Sequence, residues 1–144
     1  GPYGIGTVQL YIEPEERPLR GRDLRDQLQR IAVFDLLTNN ADRKASHLFR
    51  GRYDCRLWGI DHGLTFHIDP KLRTVIWDFC GEPIPPHLLA DLERLVRHRT
   101  LVESLLSRFL APEEVHMFWR RCAHLLTHPV YPQLNPRRNI PFGW

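Results

Sequence analysis

Hydrophobic and polar positions follow different rhythms along this chain, and the rhythms predict its elements. Thr7-Val8-Gln9-Leu10-Tyr11-Ile12 combines β-branched and aromatic residues with partial alternation, which predicts a strand over about residues 7–13. A polar connector follows. Asp23 with Asp26 then marks a helix start, and Leu24, Leu28, Ile31 and Ala32 continue at helical spacing. By Val33-Phe34-Asp35-Leu36-Leu37 the segment is apolar nearly all round, so its end belongs in the core. Thr38 to Lys44 is a polar break. Two short apolar runs, His47-Leu48-Phe49 and Leu57-Trp58-Gly59-Ile60, are joined by Gly51-Arg52-Tyr53-Asp54, which predicts a hairpin with a four-to-five-residue loop. Asp61-His62-Gly63 interrupts the pattern and Leu64-Thr65-Phe66-His67 resumes it.

From Pro70 the pattern becomes mainly helical. Trp77-Asp78-Phe79 is expected to end a short helix before Gly81 and the Pro83–Pro86 cluster. One apolar stripe runs through Leu88, Leu89, Leu92, Leu95 and Val96, another through Leu101, Leu105, Leu106 and Phe109. A last one, after Pro112, takes in Val115, Phe118, Trp119, Cys122 and Leu126. The tail from His128 to Trp144 holds four prolines and reads as an irregular strap. The expected class is α+β, mainly helical, in one domain over residues 1–144: a strand at about 7–13, a core at 23–67, a helical base at 70–127 and a tail at 128–144.

Composition narrows the classes of function. The apolar runs fall far short of the ~20 residues that span a bilayer, so membrane contact is not expected. Cys55, Cys80 and Cys122 are odd in number and form no C-x-x-C pair, which argues against a disulfide scaffold or structural zinc and for a reducing, cytoplasmic setting. Net charge is +3, and 18 of the 20 basic residues are Arg. These charges are scattered among acids, so no nucleic-acid footprint stands out. Only Lys44 and Lys71 are lysines.

The chemistry concentrates in Asn39-Asn40-Ala41-Asp42-Arg43-Lys44-Ala45-Ser46-His47 and in Gly59-Ile60-Asp61-His62-Gly63. These segments lie at opposite ends of a hairpin, so strand pairing can bring their carboxylates together. Phosphoryl transfer uses such a set: one carboxylate for the attacking hydroxyl, one for Mg²⁺, and a cation for the transferred group. Either aspartate alone would fit a solvated turn; the joint spacing with Lys44, His47 and Gly63 favours a site. Asp35, on the apolar helix end, is a buried acid that needs a partner, and a hydrogen bond holding the loop is the role expected of it. Arg120-Arg121 and Arg137-Arg138 are expected to be solvated.

Asp42-x-Lys44-x-x-His47 resembles the protein-kinase catalytic loop D-x-K-x-x-N, and Asp61-His62-Gly63 stands where D-F-G would. The stretch Val33 to Arg43 is similar to the "F-D-x-L-x-x-N-x-D-R" helix end of type II phosphatidylinositol 4-kinases and secretory-pathway kinases, and Gly59 to Phe66 resembles their "x-I-D-N-G-x-x-F". Ile31 to Pro85 also resembles a bacterial group labelled phosphatidylinositol 3- and 4-kinase-like. The resemblance covers about two-fifths of the chain. It implies the C-terminal lobe of a kinase-like fold with ATP and Mg²⁺ (or Mn²⁺) as cofactors. Asp42 would orient the acceptor hydroxyl, Lys44 would contact the transferred phosphate, and Asp61 would hold the metal. The backbone of the hinge strand, with Gln9 and Tyr11, would pair with adenine.

His47 is the departure. It occupies the place of a metal-binding Asn, yet imidazole is a poor ligand for Mg²⁺. Either a single metal suffices, or His47 contacts a phosphate. The resemblance also implies an N-terminal lobe, with a phosphate-covering loop and a strand lysine, that this chain does not supply. The chain therefore reads as a C-terminal lobe whose N-terminal lobe is a missing partner. The apolar hinge edge around Val8, Leu10 and Ile12 would be open to self-association. A pseudokinase or adaptor that binds nucleotide or a protein without turnover is the alternative reading.

Overall fold

In a computed structural model, residues 4, 9–15 and 23–143 are described, and all structural statements concern these. Four helices and one small hairpin make an α+β, mainly helical arrangement. The order is α1 (Asp23–Thr38), β1 (Leu48–Arg50), β2 (Leu57–Gly59), α2 (Pro86–Arg97), α3 (Arg99–Leu106) and α4 (Pro112–Thr127). β1 and β2 pair antiparallel, with Phe49 opposite Trp58. The turn between them is six residues long, 51–56, and not the four to five expected; Gly51 closes it by donating to the Arg56 carbonyl. A Cβ at Gly51 would run into the Asp54 carboxylate, so the tight start of the turn requires glycine there.

The helix starts are written in the sequence. Pro86 and Pro112 stand at first-turn positions, where a missing N–H costs nothing. Glu114 reaches back to accept from the Ala111 N–H at 2.8 Å, filling an otherwise orphaned donor. The C-terminal end of α1 is a Schellman end. Asn39 sits in the left-handed region (φ 52°), and the Asn40 N–H donates to the Asp35 carbonyl at 3.0 Å.

The core lies where α1, α2 and α4 meet. Val33, Ile76, Phe79, Leu88, Leu92, Val115, Phe118, Trp119, Cys122 and Tyr131 are buried together. The tail is tied onto this core: the Tyr131 hydroxyl donates to the Gln29 carbonyl, and Asn139 bonds to both Leu72 and Thr74. No helix among the described residues is long and apolar enough to cross a membrane.

Four local expectations need correction. The predicted strand at 7–13 falls partly on residues outside those described, and residues 9–13 are irregular; pairing begins only at Pro14, bridged to Gly51, because proline and the hairpin edge meet there. Leu64 to His67 is irregular too, since its backbone bonds to the end of α1 rather than to a strand. No helix ends at Phe79. Residues 70–85 are turns and bridges held by Asn39, Asn40 and Arg43, so the helical base starts at Pro86. Finally, α3 stops at Leu106 and has no fully buried residue: Val102 and Leu106 are half-buried against the core, while Leu101, Leu105 and Phe109 are exposed, with Phe109 at 82%.

Burial therefore separates two phenylalanines that the apolar pattern alone treats alike. Phe118→Ala should cost about 3–5 kcal/mol in urea denaturation, as for a buried aromatic. Phe109→Ser should stay within about 0.5 kcal/mol of the parent, as for an exposed position.

Candidate functional site

The loop after α1 is a polar island at the edge of an apolar core. Asp35, Asn40 and Arg43 are each at most 1% exposed. The Arg43 guanidinium forks onto Asp35, with Nε 3.0 Å from Oδ2 and Nη2 2.9 Å from Oδ1. Asn40 adds a third donor to Oδ1 at 2.9 Å. A carboxylate and a guanidinium removed from water are tolerable only when paired and saturated in this way. Asp35 thus has the partner its burial demands.

Arg43 then reaches outward. Nη1 donates to the Ile60 carbonyl at 2.9 Å, and Nη2 lies 3.1 Å from His62 Nδ1. Its backbone bridges a third segment, donating to the Arg73 carbonyl and accepting from the Val75 N–H. One buried side chain therefore fixes both motif segments. Asp42 and Lys44 are its chain neighbours, and Asp61 lies between the two residues it grips.

The guanidinium also settles the state of His62. An arginine can only donate, so Nδ1 must accept, and the ring proton lies on Nε2, 3.2 Å from the Gly59 carbonyl that receives it. Phe34 meets the same ring edge-on at 5.1 Å. Desolvation, helped by the Arg43 charge, holds the His62 pKa below its ordinary value of 6.5.

The expected site residues fall into two linked pairs. Lys44 Nζ is 3.2 Å from Asp42 Oδ2, and His47 Nε2 is 3.5 Å from Asp61 Oδ2. A single 3-10 turn, Ala45–His47, joins the pairs, and the Ile60 N–H donates to the His47 carbonyl at 3.0 Å. Asp61 is in the left-handed region (φ 55°), a conformation that costs an Asp energy and is kept here by the anchored residues on either side. Its side chain is 62% exposed, whereas those of Asp42 and Lys44 are mostly covered.

Asp61 opens into a cleft of about 580 Å³ that is also walled by Gln9, Leu10, Ile12, Phe49 and Trp58. Gln9 thus lines the same cleft as Asp61. Tyr11 is not: 81% exposed, it lines a separate groove at the hairpin turn with Glu13, Arg52 and Tyr53. Glu13 is paired there with Arg52, which together with Tyr53 holds its carboxyl below the usual range. Among the described residues no three His, Cys, Asp or Glu side chains gather as a metal cage. Asp61 by itself fits Mg²⁺ in the way such ions bind beside phosphates, through one carboxylate with the remaining positions left to phosphate oxygens and water.

Sequence reasoning missed the part played by two arginines. Arg43 lay inside the quoted motif without a role; the signal was Asp35, an acid needing a cation eight residues on. Arg121 is not solvated as expected. Its Nε donates to the Leu37 carbonyl at 2.7 Å and its Nη1 to the His67 carbonyl at 3.3 Å, capping α1 where the helix dipole welcomes positive charge. Burial lowers its pKa from the ordinary value.

No family model matches the chain, and no solved structure matches it. The chain is similar to Protein Rv2133c of Mycobacterium tuberculosis, with 42% identity over 134 residues. That match takes in 92% of this chain. It spans about half of the relative, 47% of its length.

Two measurements test the polar island. Asp35→Ala strands the Arg43 charge and should cost about 3–5 kcal/mol in urea denaturation near neutral pH; a loss below about 1 kcal/mol would show that the pair does not hold the loop. For His62 the folded pKa lies below the unfolded one, so the unfolded chain takes up the proton first. The stability that this difference contributes is complete above about pH 6.5 and is lost as the pH falls below it. The drop in melting temperature between about pH 7.5 and about pH 5.5 should be smaller in His62→Gln than in the parent.

Proposed function

We propose that this chain is the C-terminal lobe of a kinase-like phosphotransferase, resembling phosphatidylinositol 3- and 4-kinases, that acts on an alcohol acceptor with ATP and Mg²⁺. The observation that supports this best is the shared anchorage on Arg43. Asp42 with Lys44, and Asp61 beside an open cleft, are held to the same buried guanidinium. Catalysis of phosphoryl transfer is largely positioning plus charge stabilisation, and a buried ion pair is a rigid base for both.

Magnesium bound with the nucleotide would neutralise phosphate charge and align the transferred group. On this reading Asp61 holds the metal at the mouth of the cleft, with the 9–12 segment as the wall against which the nucleotide lies. Asp42 accepts the hydrogen bond of the acceptor hydroxyl and takes its proton. Lys44, already beside Asp42, offers its ammonium to the oxygens of the transferred phosphate. A relative more than twice as long as the matched stretch fits an active unit larger than this chain, with the second lobe covering the cleft. The uncovered wall, with Leu10 at 72% exposure, is where this chain by itself would associate with a second copy.

In the complete protein, Asp61→Asn should weaken binding of the magnesium–nucleotide complex together with turnover. Asp42→Asn should leave binding near the parent value while turnover falls by ~10²-fold or more. Lys44→Ala should lower turnover with a smaller effect on binding. Calorimetric binding alongside single-turnover phosphate transfer reads all three. Full turnover in both aspartate variants would overturn the reading and leave the pseudokinase or adaptor in its place.

A further inference from the structure

His47 stands where the resemblance implies a metal-binding Asn, and the groups that its ring faces say what it does instead. The ring is buried, with its side chain 11% exposed, and both edges face defined groups. Nδ1 is 3.4 Å from the backbone N–H of Lys44, which can only donate, so Nδ1 presents its lone pair there. The ring proton is then on Nε2, and Nε2 faces Asp61 Oδ2 at 3.5 Å. A nitrogen bearing a proton has no lone pair for a metal. The other oxygen of Asp61, Oδ1, lies on the Gly63 side, and the side chain as a whole is 62% exposed. The His47 carbonyl accepts from the Ile60 N–H, so backbone and ring together grip the segment that carries Asp61.

We propose that His47 is a positioning residue that holds Oδ2 of Asp61, leaves Oδ1 for a divalent cation, and makes this a one-metal site. The proposal rests on the phosphotransferase reading for the identity of the cation's partner, the nucleotide phosphates. The His47–Asp61 arrangement itself belongs to the protein before any ligand binds. An outer partner that orients a metal-binding side chain typically accounts for about 10–100-fold in metal affinity.

The test uses the complete protein, labelled with ¹⁵N-histidine, with Mn²⁺ and a non-hydrolysable ATP analogue as probes. Two-bond ¹H–¹⁵N correlation should show His47 protonated on Nε2, both alone and with the Mg²⁺ form of the analogue. Electron paramagnetic resonance should count one Mn²⁺ per protein at saturating analogue. His47→Ala should weaken Mn²⁺–analogue binding by about 10–100-fold, and His47→Gln, which keeps an N–H donor, should recover part of that loss. In an Asp61→Asn background His47→Ala should add little, since the side chain it acts through is already altered. Two bound Mn²⁺, an Nδ1-protonated ring, or an equal loss in both backgrounds would each overturn the proposal. If the parent takes up no metal-dependent nucleotide while the Nε2 proton is found as expected, the phosphotransferase reading falls and the one-metal site falls with it.

Discussion

Everything near the loop depends on one ion pair that water cannot reach. Arg43 and Asp35 are taken out of solvent together, at a desolvation cost that the pair recovers only through geometry. The fork between them is bidentate, and the remaining donors and acceptors are filled by Asn40, Ile60 and His62. A hydrophobic plug of similar volume could serve stability as well. What it could not do is aim five donors in fixed directions. Arg43 acts as a junction: its guanidinium joins the end of α1 to the turn after β2, and its backbone adds the bridge at Thr74.

That junction explains why a loop without regular structure can be rigid. Asn39 accepts one backbone N–H and donates to two carbonyls, Asn40 does the work of a C-cap, and the segment at 64–66 runs back to Ala41 and Thr38. Nearly every polar group of the turn has a named partner, which is what a buried loop must achieve to exist at all. The exposed side of the same region is different in kind. Asp61, Gln9 and Leu10 face an open cleft, and the outer wall is fastened to the hairpin by the Glu13–Arg52 and Glu15–Arg50 pairs and by backbone bonds between the same segments.

The apolar periodicity made α1, α2 and α4 legible, because each buries a stripe and two of the three open with proline. It also found both strands of the hairpin. It failed where local pattern gives no information about distant partners. Leu101, Leu105 and Phe109 share the spacing of a buried stripe, yet no element among the described residues covers them. Residues 70–85 look capable of a helix but are claimed by side chains from thirty residues upstream. Tyr11 and Gln9 seemed equivalent as hinge residues, although only Gln9 reaches the cleft. Arg121 could not be read at all, since nothing in its neighbourhood reveals that the end of another helix awaits it.

The reach of Arg121 has a consequence for how the molecule comes into being. Its bond to the Leu37 carbonyl closes a span of 84 residues, and the Tyr131 bond to Gln29 closes one of 102. Contacts of such sequence separation must wait until much of the chain has lost its freedom. Helix α1 can coil early, but the Leu37 carbonyl in its last turn lacks its arginine donor until α4 has docked. On a growing polypeptide the polar island would therefore be among the last regions to become native, although its residues lie in the first third of the chain.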